Sequence, residues 1–379
     1  MLKFIAGPMA TLSHQGLRKI IEKFGGCDEY YTEMINASSY LTHGQFESFY
    51  TLNEIASDKI IWQITGKNFE PMAKCAKELC NFGGIGIDIN MGCSAPDIVK
   101  TGAGIAWMLK PIEETKRLVC EVKNALLSFS TDDKNHSFYN KVPRLSVKLR
   151  LGDDNFTDEG FYNFCNMLYQ NGVEQIVLHP RTKREKLARA PRYFYVENVA
   201  REFNGKMNVI LNGNVKDVPS FESALKAAPS VSGVMIARMS AQKPWIFARL
   251  KRAMGEGDVL RESELTSETS GTGIGADVAL ATTSTSMTCT QSPFVVSQEG
   301  VQKIDRLAVG LEYIQNLRTD QPPEFWLSRM QRFFAYYCDN FSYGHYIKSK
   351  MLNCKTLDDA EKTFSAYFEE VKDDRWENL

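Results

Sequence analysis

The stretch Gly86-Ile87-Asp88-Ile89-Asn90-Met91-Gly92-Cys93-Ser94-Ala95-Pro96 decides how the chain reads. An apolar run that stops in a Gly-Cys turn holds a thiol at a strand end, where chemistry can reach it. Four further apolar runs stop in the same manner: one at Lys148, one at His179, one at Asn212-Gly213-Asn214 and one at Ala237-Arg238. Polar groups recurring at strand ends describe one mouth of a parallel barrel, the end where barrel enzymes keep their active sites.

Working outward, eight strand candidates emerge: Leu2–Gly7, Glu29–Met34, Ile60–Thr65, Ile85–Asn90, Leu145–Leu151, Gln175–His179, Val209–Asn212 and Gly233–Ile236. They are near-continuous apolar runs, as strands buried on both faces require. Amphipathic segments lie between them, at Pro71–Leu79, Ile112–Leu126, Glu159–Gln170, Tyr195–Phe203 and Val218–Ala227. The alternation predicts an α/β protein, a (β/α)8 TIM barrel over residues 1–252. Leu127–Asn140 is polar and reads as a surface loop. Residues 253–302 are rich in Ser, Thr and Gly and predict a linker or insertion. Within them Gly271-Thr272-Gly273-Ile274-Gly275 lacks the spacing of a dinucleotide turn, and no strand precedes it. From 303 to 379 the pattern turns helical. Leu307, Leu311, Ile314 and Leu317 share a face, and Phe325–Tyr337, Gly344–Met351 and Leu357–Val371 follow as helices. A small C-terminal helical domain is expected there.

Composition narrows the class. The 379 residues are 43% hydrophobic and 24% charged, which is globular, and the length exceeds what one core normally holds. A formal net charge of −1 argues against binding nucleic acid through overall charge but leaves room for a local basic patch. Nine cysteines, an odd number without a disulfide rhythm, suit a reducing compartment. Cys75 and Cys80 fit no zinc spacing and read as core thiols, so no metal is expected. The start, Met1–Leu12, is too short and interrupted for a signal peptide, and no apolar run is long enough for a membrane span. A soluble cytoplasmic protein is the expectation.

Taken singly, each rim residue has an ordinary reading. Cys93 is a small core hydrophobe, Lys148 a strand-end lysine reaching solvent, His179 a satisfied core histidine, and Asn212-Gly213-Asn214 a turn. Together with Pro8-Met9-Ala10 after the first strand and Gln63 in the third, they form a set that suits flavin mononucleotide. A cation near the pyrimidine edge stabilises the reduced ring, an amide meets its heteroatoms, and the last two loops receive the phosphate.

With these motifs the chain resembles the tRNA-dihydrouridine synthases over about Met1 to Leu250. The resemblance is carried by Ala6-Gly7-Pro8-Met9, Gln63-Ile64-Thr65-Gly66, Asn90-Met91-Gly92-Cys93 with Gly102-Ala103-Gly104, Val147-Lys148-Leu149-Arg150, His179-Pro180-Arg181-Thr182, Asn212-Gly213-Asn214 and Lys243-Pro244-Trp245-Ile246-Phe247. It implies FMN, reduced by NADPH or NADH, transferring hydride to C6 of a tRNA uridine while Cys93 protonates C5. Lys148 and Gln63 would hold the isoalloxazine, with Pro8, Met9 and Ala10 packing on it. His179 would meet the ring or its ribityl-phosphate side, and Asn212, Gly213, Asn214, Ala237 and Arg238 would take the phosphate. Asn90 would hold the target uracil.

The basic cluster Arg181, Lys183, Arg184, Lys186, Arg189 and Arg192 follows His179 and is the first choice for tRNA phosphates, or else a solvated loop. The tail stretch from Arg329 to Lys355, which mixes Arg329, Arg332, Lys348 and Lys350 with aromatics, is the second; its aromatics also fit a core. One-to-one binding of a large RNA points to a monomer. The chain departs from the family pattern at Ser94, where Pro is usual, at Pro180 and at Ala237-Arg238-Met239, where Gly flanks are usual. Two other readings fit parts of the pattern: an FMN barrel reductase of a small molecule, of dihydroorotate or enoate type, and a catalytically silent tRNA-binding homologue.

Overall fold

Eight parallel strands close into a ring. The computed structural model describes residues 1–153, 155–185, 188–255, 294–296 and 302–379. The barrel strands are β1 Lys3–Ala6, β2 Glu29–Tyr31, β3 Ile60–Thr65, β4 Gly86–Met91, β5 Arg144–Leu149, β6 Gln175–Leu178, β7 Asn208–Asn212 and β8 Gly233–Ile236. Each pairs with its sequence neighbours, and β8 pairs with β1, so the ring is complete. Helices cover the outside: α1 Gln15–Lys23, α2 Phe69–Leu79, α3 Ile112–Leu127, α4 Asp158–Gln170, α5 Tyr193–Glu202, α6 Val218–Ala227 and α7 Ile246–Ala253, with a one-turn helix, Ala37–Leu41, after β2. The expected (β/α)8 barrel is the observed one. Local chemistry sets the boundaries. At α6 the Asp217 carboxylate accepts from Ser220 N at 2.9 Å while Ser220 Oγ accepts from Asp217 N at 3.0 Å, a reciprocal cap.

The second strand is shorter than its apolar run implies. Thr32 interrupts it: its N–H still donates to Ile61 O, but its Oγ1 takes the N–H of Gln63 in place of a backbone carbonyl. The chain regains pairing only at Ile35–Asn36, against the end of β3. That detour leaves Glu33 free to turn away from the barrel.

Two apolar layers result. The larger lies between strands and helices. The smaller is a girdle inside the ring, with Ile5, Tyr31, Ile61, Val177, Ile210 and Met235 coming from six different strands. The remaining two strands, β4 and β5, place the register partners Asp88 and Ser146 at that level. Both are fully buried.

After α7, the described chain resumes in a three-stranded antiparallel sheet, Phe294–Val296, Gln302–Asp305 and Trp376–Asn378. The helical pattern expected from Lys303 therefore starts at Arg306, behind a strand. Residues 256–293 and 297–301, most of the expected linker with Gly271–Gly275, lie outside the described residues. The tail helices are α8 Arg306–Asp320, α9 Pro323–Tyr337, α10 Gly344–Asn353 and α11 Leu357–Glu370. Among the described residues, no helix is long and apolar enough to cross a membrane.

The tail docks on the barrel through buried polar contacts. His14 Nε2 meets Tyr313 Oη at 3.0 Å, Asn316 Nδ2 donates to Gly16 O at 3.0 Å, and Lys19 pairs with Asp320 at 2.7 Å. The strongest is a two-pronged pair between Arg329 of α9 and Glu33, both buried, with Arg329 also over the Phe325 ring. Burial pushes the Glu33 carboxyl up, and Arg329 is the first group pulling it back. Removing one partner of such a pair costs about 3–5 kcal/mol. R329M should therefore lower the urea midpoint of the tail–barrel unit sharply, and adding E33L should restore much of it. An R329M midpoint equal to that of wild type would contradict this assignment.

Candidate active site

The C-terminal ends of the strands surround a cavity of about 530 Å³, within the range of small-molecule sites. Its wall holds Pro8, Met9 and Ala10 after β1, Lys148 of β5, His179 after β6, Asn212, Gly213 and Asn214 at the end of β7, and Ala237 and Arg238 after β8. Ten of the eleven residues expected around a cofactor thus share one wall. Gln63 does not line it; it lies fully buried among the strands. The tail supplies a side that the sequence reading lacked, with Arg332 and Tyr336 of α9 and Asp339 lining the same cavity.

The electrostatics of the wall are particular. Lys148 is half-buried, and its ammonium has no hydrogen-bond partner among the described residues. Burial, reinforced by Arg150, pushes it down to about 8, against the pull of Asp88 and Cys93. His179 is buried, and burial together with Arg150, Lys148, Arg181 and Arg238 pushes it down to about 2, so it stays neutral. Its Nε2 accepts from Arg181 Nη1 at 3.0 Å, which assigns the ring proton to Nδ1. Gly213 has φ +121°, and a Cβ there would stand 2.8 Å from His179 Cδ2, so only glycine lets this loop close on the imidazole. Tyr193 Oη donates to the Gly213 carbonyl at 2.6 Å, and Asn212 Nδ2 donates to Met235 O at 2.9 Å, tying β7 to β8.

Cys93 sits one strand away, after β4, whose Asn90 is the register partner of Lys148. Three residues fix its turn. Asn90 Oδ1 accepts from Cys93 N at 2.9 Å and from Gly92 N at 3.2 Å. Arg150 Nε donates to Gly92 O at 3.0 Å while its Nη1 reaches Thr182 O at 3.4 Å, linking this turn to the loop after β6. Ile105 N donates to Cys93 O at 3.0 Å, and Gly104 (φ +62°) leaves room for that approach, since its Cβ would fall 2.6 Å from the same oxygen. The thiol remains partly exposed. Arg150 stands in the quoted Val147–Arg150 motif, but nothing in the sequence says which loops it joins.

The structure gives partners to three groups of the expected contact residues. Asn90, expected on the substrate, gives its oxygen to the Cys93 turn and its Nδ2 to Gln63 Oε1 at 2.9 Å. Arg181, expected on tRNA phosphate, is 3% exposed, its guanidinium turned to His179 and to Arg189 O. Arg329 is buried against Glu33, and Phe333, Phe334 and Tyr337 are core. In the basic loop, Arg192 pairs with Glu185 at 2.9 Å, Lys183 is half-buried, Arg184 and Arg189 are exposed, and Lys186 lies outside the described residues. On the tail, Tyr343 (62%) and Tyr346 (47%) stay exposed, with Lys350 Nζ 4.4 Å over the Tyr346 ring.

Residues 4–274 match the dihydrouridine synthase (Dus) family. The tRNA-dihydrouridine synthase B of Pseudomonas putida is 26% identical over 261 residues, covering 69% of this chain and 71% of that protein. A probable tRNA-dihydrouridine synthase of Aquifex aeolicus is 28% identical over 254 residues, covering 65% and 72%.

The neutral His179 has a consequence for stability. Its ordinary value is 6.5, so between about 2 and 6.5 the unfolded chain binds a proton that the folded chain does not. Stability conferred by this group is therefore complete above pH 6.5 and falls as pH drops below it, with a slope approaching about 1.4 kcal/mol per pH unit. Buried His14, also lowered, adds a second such proton. The urea midpoint of H179Q should fall less steeply than that of wild type between about pH 6.5 and 5. Equal slopes would show that His179 takes up its proton in the folded state.

Proposed function

The chain belongs to the dihydrouridine synthase family, and on that footing we propose that it reduces a uridine of tRNA with a bound flavin mononucleotide and Cys93. The observation that carries the reading is the gathering of the expected cofactor residues on one cavity wall, with the thiol one strand away.

The wall fits FMN. The Lys148 ammonium, without a hydrogen-bond partner among the described residues, lines the cavity and suits the electron-rich pyrimidine edge of the ring. Pro8, Met9 and Ala10 offer a surface for the isoalloxazine to pack on, and the Gln63 amide stands below. The Gly213 cradle against neutral His179, with Asn212, Asn214, Ala237 and exposed Arg238, suits the ribityl-phosphate end. When bound and reduced by NADPH or NADH, the flavin supplies the hydride equivalent that adds to C6 of the uracil.

The chain's own residues do the rest. Cys93 Sγ–H gives its proton to C5 from the opposite face, which a thiol can do only while protonated. Arg150 and Asn90 hold the turn that presents it. The base must leave its stack, at a cost of a few kcal/mol, so the RNA has to be gripped around the mouth. Arg184 and Arg189 of the loop after β6 are exposed, and Arg332 and Tyr336 of α9 line the cavity. Arg181 and Arg329, turned inward, support these surfaces from behind.

Site-resolved dihydrouridine in unmodified tRNA, after incubation with flavin-loaded protein and NADPH, tests the proposal. New dihydrouridine at a defined position is the expected result. In C93A the flavin and NADPH oxidation should persist while base reduction falls by at least about a hundredfold, the share of a positioned general acid. A flavin-loaded wild-type protein that oxidises NADPH but leaves tRNA unchanged would point instead to a small-molecule substrate.

A further inference from the structure

Below Cys93 the barrel interior carries a line of buried hydrogen bonds. Cys93 N and Gly92 N donate to Asn90 Oδ1, Asn90 Nδ2 donates to Gln63 Oε1 at 2.9 Å, and Gln63 Nε2 donates to Asp88 Oδ2 at 2.7 Å. Gln63 and Asp88 are fully buried and Asn90 is 5% exposed. The other carboxylate oxygen, Oδ1, accepts from Ser146 Oγ at 2.8 Å, and Ser146 in turn meets Tyr31 Oη at 3.3 Å.

The polarity of this line is fixed from above. Backbone N–H groups can only donate, so Asn90 must turn its oxygen up and its Nδ2 down. Gln63 then meets that Nδ2 with Oε1 and turns its own Nε2 toward the floor. A chain that begins with donors must end on an acceptor, or one buried amide is left unmet at full desolvation cost. Asp88 is that end. It lies five residues before Cys93 and makes no contact with the thiol.

We propose that Asp88 is a positioning residue for Cys93, acting as a hydrogen-bond acceptor rather than as a charge. This deepens the proposed function, since it rests on Cys93 as the proton donor. Lys148, Arg144 and Tyr31 also face Asp88, and two of these are cations. Even so, burial pushes its carboxyl up to about 7, where the neutral form is as common as the anion. A proton on Oδ1 is readily met, because Ser146 can accept it and donate to Ile87 O, 3.4 Å away. Oδ2 remains an acceptor in either form, so the amide line above is unaffected.

Two substitutions separate acceptor from charge. D88N keeps an oxygen for Gln63 and can give its amide to Ser146; D88V removes the acceptor at similar size. Hydrogen exchange at the Cys93 backbone amide and iodoacetamide alkylation of its thiol, resolved by peptide mass spectrometry, read the turn without tRNA. In D88V, Cys93 amide exchange should rise on the order of tenfold. Alkylation should also speed up, and kcat for dihydrouridine should fall with KM for tRNA and bound flavin unchanged. D88N should stay near wild type in each. A D88V protein as protected as wild type, or a D88N protein as exposed as D88V, would overturn the proposal. If D88V does not fold, the wild-type side-chain amide protons of Gln63 and Asn90 decide by NMR: slow exchange supports the line, and fast exchange refutes it. A wild-type protein that makes no dihydrouridine counts against the function while leaving the turn measurement intact.

Discussion

Closure of the strand ring governs everything inside it. With β8 paired to β1, no solvent-facing edge remains, and a polar side chain pointing inward must find its partner among the other inward side chains. Six strands meet that demand by sending apolar groups to the middle layer. The other two, β4 and β5, bring Asp88 and Ser146 there and so force a polar column up one side of the barrel. At the strand starts the same demand joins Glu29 to Arg144 in a bidentate pair and to Gln175 at 3.0 Å. The mouth inherits its asymmetry from this. The side with Gln63, Asn90 and Cys93 is a continuous hydrogen-bonded wall, whereas Lys148 and His179 face a cavity.

Charge in that cavity follows from placement more than from residue type. Burial holds His179 neutral, and Arg150, Lys148, Arg181 and Arg238 add to it. Lys148 is itself weakened as a cation by burial and by Arg150. A crowd of positive groups with little negative charge among them favours an anionic guest and disfavours further protons. The wall is thus conditioned for an anionic guest before any ligand contact is considered.

Much of this was legible in the sequence, for a physical reason. Strands buried on both faces are largely apolar, so a polar residue at the end of such a run marks the rim, as with His179 and Asn212, and Lys148 stands one residue short of the end of β5. What the pattern does not show is where the chain turns back on itself. Arg181 and Arg329 look like surface cations until Arg189 O and Glu33 are seen to claim them. Asn90 looks like a substrate ligand until Gly92 and Cys93 turn back onto it. The strand Gln302–Asp305 has too few residues for its period to show, and its partners, Phe294–Val296 and Trp376–Asn378, lie on either side of the tail helices. The α9 rim could not be foreseen, because it depends on how the tail docks.

That docking bears on how the mouth can behave. Arg332 and Tyr336 stand on the same helix as Arg329, one turn and two turns further along, so the rim and the buried anchor move as one rigid piece. Tilting α9 outward would draw a guanidinium away from a carboxylate inside a dry interface, a motion opposed by several kcal/mol. The α9 side of the aperture is accordingly set at folding and not by the arrival of a guest. A bulky polymer meeting such a fixed opening has to reshape itself to enter, extending a single unit of its own into the well. The work of entry would then rest on the polymer's own deformability, with the protein as a gauge of it.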